Sequence, residues 1–199
     1  MKKIVITAVL TSVLMGCAPT PPKSVTNSCV MLDDKSSWYK SLKKVRKEYG
    51  TPIHVLLAMM RQESSFKHNA KTPRKYILGF IPWGRQSTAY GYAQVKDMTW
   101  DWYQQRTGRK SADRDDFYDA VRFMGWYSTV SQRTLGISKW DAYNQYLAYH
   151  EGHGGWKRKS FNKKPWLLKV ARKVEGYAQT YAVQLKGCED DLDSGWWPF

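Results

Sequence analysis

The chain has 199 residues, of which 42% are hydrophobic and 15% aromatic, which is enough for one cored domain. Lys and Arg total 32 against 17 Asp and Glu, a formal charge of +15, so an acidic partner is expected. There is no internal repeat, no metal-ligand spacing among the four histidines and no Gly-rich phosphate loop, so neither a metal nor a cofactor is expected.

In chain order, Met1-Lys2-Lys3 and the apolar run Ile4 to Met15 have the charged start and short apolar core of a secretory signal, expected over residues 1–16. Leu14-Met15-Gly16-Cys17 resembles the lipobox of a bacterial lipoprotein, which implies cleavage before Cys17 and lipid on that cysteine. Ala18 follows where an aspartate would resemble an inner-membrane retention signal, which implies an anchor on the periplasmic side of an outer membrane. Pro19, Pro21 and Pro22 make Ala18 to Asn27 a tether, and the expected units are a lipidated segment 17–33, a domain 34–188 and a tail 189–199. Cys29 and Cys188 remain, an even pair that suggests a disulfide in an exported chain. Export also disfavours nucleic acid as the acidic partner. Anionic cell-wall glycan with its peptide carboxylates, or an anionic membrane surface, fits the compartment better.

Within the domain nearly every segment reads as helix. Asp34 to Tyr49 carries Trp38, Leu42, Val45 and Tyr49 at helical spacing and stops at Gly50. Thr51 is an N-cap residue type and Pro52 suits a first helical position, so a helix is expected from Pro52 to about Ser64. Ile53, Leu56, Leu57 and Met60 form its main stripe, and Val55, Ala58 and Met59 make the other faces apolar, the pattern of a helix buried among others. Glu63 follows Met60 by three and so continues the stripe. A carboxyl desolvated there gains a raised pKa, the property a general acid needs near neutral pH. Lys71 to Thr88 breaks the helical pattern with Pro73, Gly79, Pro82 and Gly84 and reads as a loop or small hairpin. Its Tyr76, Ile77, Leu78, Phe80, Ile81 and Trp83 are expected to form a cleft wall or a partner surface. Helices are then expected over Asp97 to Arg106, Asp115 to Leu135, Asp141 to His150 and Leu167 to Leu185.

Three separated pieces resemble one family. Glu63-Ser64-Ser65-Phe66 is similar to the Glu-Ser motif of the soluble lytic transglycosylase domain, Gly91-Tyr92-Ala93-Gln94 stands where that family has Gly-Leu-Met-Gln, and Ala148-Tyr149-His150-Glu151-Gly152 where it has Ala-Tyr-Asn-Ala-Gly. Gly125-Trp126-Tyr127 lies where the family has Gly-x-x-Tyr-Leu. The resemblance implies a mainly α, lysozyme-like fold of the goose-type or soluble lytic transglycosylase kind, with the 71–88 segment inserted between Glu63 and Gln94. It also implies Glu63 as the catalytic acid and base, peptidoglycan glycan strands as the partner, and Ser64, Tyr92, Gln94 and Tyr149 at the substrate, with the Tyr149 hydroxyl holding Glu63. Ala93 and His150 depart from the family's Met and Asn, and Glu151 adds a second carboxylate.

Glycosidic cleavage needs an acid at the leaving oxygen and a stabiliser for the oxocarbenium-like carbon. With one carboxyl in an apolar setting, a single-acid route is favoured, in which the substrate's N-acetyl oxygen assists. In the family the 6-hydroxyl of N-acetylmuramic acid then attacks to give a 1,6-anhydro end. Two other readings remain: a muramidase-type hydrolase using Glu151 or Asp97, and a non-catalytic wall-binding lipoprotein. Trp83, Trp100 and Trp102 are candidates for stacking on sugar rings.

Overall fold

The computed structural model describes residues 20–194. Its helices are α1 (Ser28–Asp34), α2 (Ser36–Tyr49), α3 (Ile53–Ser64), α4 (Asp97–Thr107), α5 (Phe117–Leu135), α6 (Ala142–Lys157) and α7 (Pro165–Ser194). Strands β1 (Arg74–Ile77) and β2 (Ile81–Arg85) pair antiparallel, and a 3₁₀ turn spans Ser160–Lys163. The architecture is mainly α, as expected, with a hairpin inside the 71–88 segment.

The position of α3 follows from its composition. Val55, Leu56, Leu57, Ala58 and Met60 are fully buried, because α3 packs along α7 and also touches α2, α5 and α6. A helix with no polar face must be enclosed in this way. It begins one residue later than expected: Pro52 is the N-cap, with extended backbone, and Thr51 makes no cap bond. Gly125 lets α5 approach α2 closely, since a Cβ there would come within 2.6 Å of Val45 Cγ1.

Both outer boundaries of the domain differ from expectation. Residues 28–33, expected in the lipidated segment 17–33 outside the domain, form most of α1, where Asn27 caps the N-terminus through Cys29 and Val30 and where Met31 and Leu32 are wholly buried. The segment 189–199 is likewise no free tail up to Ser194. There α7 continues, with Glu189 bound to Arg46 at 2.5 Å and Asp193 to Lys43 and Tyr39 at 2.6 Å each. The Cys29–Cys188 disulfide joins α1 to α7 across 159 positions, a loop whose closure restricts the unfolded chain by about 4 to 5 kcal/mol in the entropy account. Among the described residues the buried core extends from Met31 to Cys188, all of it within the chain from Thr20 onward. Cys17 and the segment 1–16 expected to be a signal lie outside the described residues.

Candidate active site

Glu63 stands in the last turn of α3, directly beyond the buried Leu56 and Met60. The chain leaves the helix sharply, with Ser65 at φ 50° and Phe66 at φ 62°. Phe66 is buried against Trp38, which stacks on Phe117 at 4.1 Å, and this anchors the turn that aims the carboxyl outward. Glu63 thereby becomes part of the floor of a cleft of about 460 Å³, together with Phe123 and Tyr127 from α5 and Tyr149 from α6. Loss of water around Glu63 lifts its pKa from 4.5 to about 7, against the opposing pull of a hydrogen bond from the Tyr146 hydroxyl. The group therefore exchanges its proton near neutral pH, the condition for giving a proton and later taking one back.

The opposite rim comes from the turn around Gln94. Gly91 can only be glycine: φ is 77°, and a Cβ would lie 2.0 Å from the Arg114 carbonyl oxygen. Gln94 Nε2 donates to the carbonyls of Ala70 and Gly91, each at 2.9 Å, which fixes the amide orientation and leaves Oε1 as the acceptor at the cleft. The Tyr149 hydroxyl donates to the Ala93 carbonyl at 2.5 Å and so ties this turn to α6.

α6 supplies four consecutive cleft residues, Tyr149, His150, Glu151 and Gly152. A regular helix would spread four successive residues around its axis. Here Gly152, at φ 72° and ψ 160°, breaks the helix, so this end of it turns along the cleft. Burial pushes the Glu151 carboxyl up, but hydrogen bonds from Lys164, Ser160 and His150 outweigh this and bring it down to about 2. Both of its oxygens are committed: Oε1 to Lys164 at 2.7 Å and His150 at 3.2 Å, Oε2 to Ser160. Glu151 is a fixed anion with a fixed cation, unsuited to donate a proton or attack a sugar. Asp97 is held by Arg114 at 2.7 Å and does not line the Glu63 cleft.

Of the residues expected at the site, Glu63, Gln94 and Tyr149 line one cleft, while Ser64 and Tyr92 do not. The Ser64 hydroxyl turns back to the Met60 carbonyl at 3.5 Å and the residue is buried. Tyr92 is 2% exposed, edge-on to Trp38 and Phe117, and lies with the next residue, Ala93, in the core. The hydroxyl that reaches Glu63 is that of Tyr146, not Tyr149, whose proton is taken by Ala93. Tyr146 lies one helical turn before Tyr149, and this spacing is the signal that could have found it. Trp100 is buried, and the half-buried Trp102 packs edge-on against Trp126; neither lines the Glu63 cleft. Thr72, Ser87 and Ala89, the roots of the hairpin, line the cleft, but no residue of β1 or β2 does.

In comparisons with known proteins, the model of a family described as the transglycosylase SLT domain matches residues 5–188. No curated protein matches the chain.

Proposed function

Because the chain belongs to the transglycosylase SLT domain family, we propose that it is a lytic transglycosylase of peptidoglycan. In this reading it cleaves the β-1,4 bond between N-acetylmuramic acid and N-acetylglucosamine and leaves a 1,6-anhydro end. One observation carries the reading. The cleft holds a single carboxyl able to exchange its proton near neutrality, Glu63 at about 7, while the other, Glu151, is bound on both oxygens.

Glu63 gives its proton to the bridging oxygen as the C1–O4 bond breaks and the electron pair leaves with that oxygen. The N-acetyl carbonyl oxygen of the same sugar closes on C1 and carries the positive charge, a role for which no free carboxylate is at hand. Glu63, now anionic, takes the proton of the 6-hydroxyl as O6 forms its bond to C1 and the acetamido oxygen is released. Proton and charge return to their starting places and no water enters. Tyr146 steadies the carboxylate form of Glu63 between the two steps. Gln94 Oε1 offers an acceptor to a sugar hydroxyl or amide, and Lys96 and His150 at the rim suit the carboxylates of the peptide stems.

The lipobox at Leu14 to Cys17, the pair Cys29 and Cys188 and the cell-wall substrate support a periplasmic protein anchored to the outer membrane through lipid on Cys17. The test of the activity is mass spectrometry of the products from purified peptidoglycan. Anhydro ends are expected, and Glu63→Gln is expected to lower release by about 10² to 10⁴ or more, with sacculus binding retained. Reducing ends, heavier by one water, would replace the reading by a muramidase-type hydrolase. Absence of cleavage would leave a wall-binding protein.

A further inference from the structure

Every residue of β1 and β2 is exposed, on both faces of the ribbon. Such a ribbon would be unremarkable if polar. Instead Tyr76, Ile77, Leu78, Phe80, Ile81 and Trp83 stand in solvent, Leu78 with 78% and Phe80 with 72% of their surface accessible. The register orders them in tiers. Leu78, Gly79 and Phe80 form the tip, followed by Ile77 opposite Ile81, then Tyr76 opposite Pro82 with Trp83 beside it, and finally Arg74 opposite Arg85 at the base. The root is rigid: Thr72 Oγ1 donates to the Ser87 carbonyl at 2.9 Å and Gln86 N–H to the Pro73 carbonyl at 3.1 Å.

The tip also breaks a local rule. Phe80 N–H donates to the Ile77 carbonyl, and the residues between them, Leu78 and Gly79, have φ of 54° and 80°. Asn, Asp or Gly is favoured at such a first position, and a leucine there is strained. A strained and exposed leucine helps neither turn nor core, and such violations mark places kept for contact with something else.

We propose that this hairpin is a membrane-inserting element that docks the protein on an anionic lipid bilayer. Three observations choose lipid over other occupants. A rigid protein surface covers one face of a ribbon, whereas a fluid bilayer encloses both. The aliphatic Ile77, Leu78 and Ile81 have no counterpart on a sugar ring, while the order apolar tip, aromatic tier, basic collar follows the layers of a membrane interface from acyl chains to phosphates. The charge is one-sided. Between Ser64 and Lys96 the sequence has Lys67, Lys71, Arg74, Lys75, Arg85 and Lys96 but no Asp or Glu, and among the described residues Arg74, Lys75 and Arg85 meet no carboxylate. At about 3.3 Å per strand residue, the tip reaches roughly 13 Å beyond Arg74, enough to pass the roughly 5 to 10 Å of the headgroup and acyl boundary while the collar stays at the phosphates.

The test is flotation of the chain from Thr20 onward, which omits Cys17 but carries every buried core residue from Met31 to Cys188, with vesicles of equal phosphatidylglycerol and phosphatidylcholine or of phosphatidylcholine alone. The native chain should float with the anionic vesicles and several-fold less with the neutral ones. Leu78→Asn with Phe80→Thr should weaken the anionic binding at least about tenfold, with thermal unfolding unchanged, since Asn suits the positive φ and Thr suits a strand end. Arg74→Gln, Lys75→Gln and Arg85→Gln together should erase the preference for phosphatidylglycerol. A native chain that does not float, or a tip variant that floats as well as the native one, overturns the proposal. A tip variant that loses binding to sacculi but not to vesicles assigns the hairpin to glycan and overturns it too.

Discussion

The helix α3 and the hairpin are built from similar apolar residues and end in opposite surroundings. Leu56, Met59 and Met60 have other helices on every side, and Leu78, Phe80 and Trp83 have none. The difference lies in period and in punctuation. A continuous run at helical spacing makes a cylinder that α2, α5, α6 and α7 can surround, whereas Pro73, Gly79, Pro82 and Gly84 force a two-stranded ribbon too narrow to bury either of its own faces. Enclosure then determines the chemistry. At the end of α3 the lack of water turns an ordinary glutamate into a neutral-pH acid, while on the hairpin apolar side chains in contact with water are available to a partner.

The contrast can be broken first at the core. Leu56→Ala should cost about 2 to 5 kcal/mol of unfolding free energy, read by chemical denaturation, because the enclosed site cannot collapse around the missing atoms. A smaller effect is expected from Tyr146→Phe. Its hydroxyl favours the charged form of Glu63, so its removal should raise the Glu63 pKa further above 7. The proton is then held to higher pH, the alkaline limb of the kcat profile moves upward, and the rate at neutrality falls several-fold, the scale of one net hydrogen bond of about 1 kcal/mol. An unmoved limb would mean that Tyr146 serves packing alone. The smallest effect belongs to the hairpin: Phe80→Ala should change unfolding by less than about 0.5 kcal/mol, since nothing of the body rests on it. A core-sized loss there would put the hairpin with α3 and end the contrast.

The helices α2 to α7 were legible because each carries several turns of apolar period, and Glu63 because it extends such a stripe. α1 was not, since seven residues with two acids show little period, and the burial of Met31 and Leu32 is supplied by α7 from the far end of the chain. α6 was read too short because Gly152 interrupts its pattern without ending it. Ser64 and Tyr92 face away from the cleft for reasons of packing: Ser64 follows Glu63 but turns its hydroxyl back to the Met60 carbonyl, and Tyr92 lies with Ala93 in the core, two positions before Gln94. Glu151 is not legible in the sequence, because its oxygens are occupied by Ser160, at the start of a 3₁₀ turn, and by Lys164, just after it, 9 and 13 positions on.

The central claim is that enclosure at the end of α3 gives this protein its acid, and a carboxyl ¹³C NMR titration of Glu63, assigned by its absence in Glu63→Gln, tests it most directly. A midpoint near 7 is predicted, and a midpoint near the ordinary 4.5 would contradict the account.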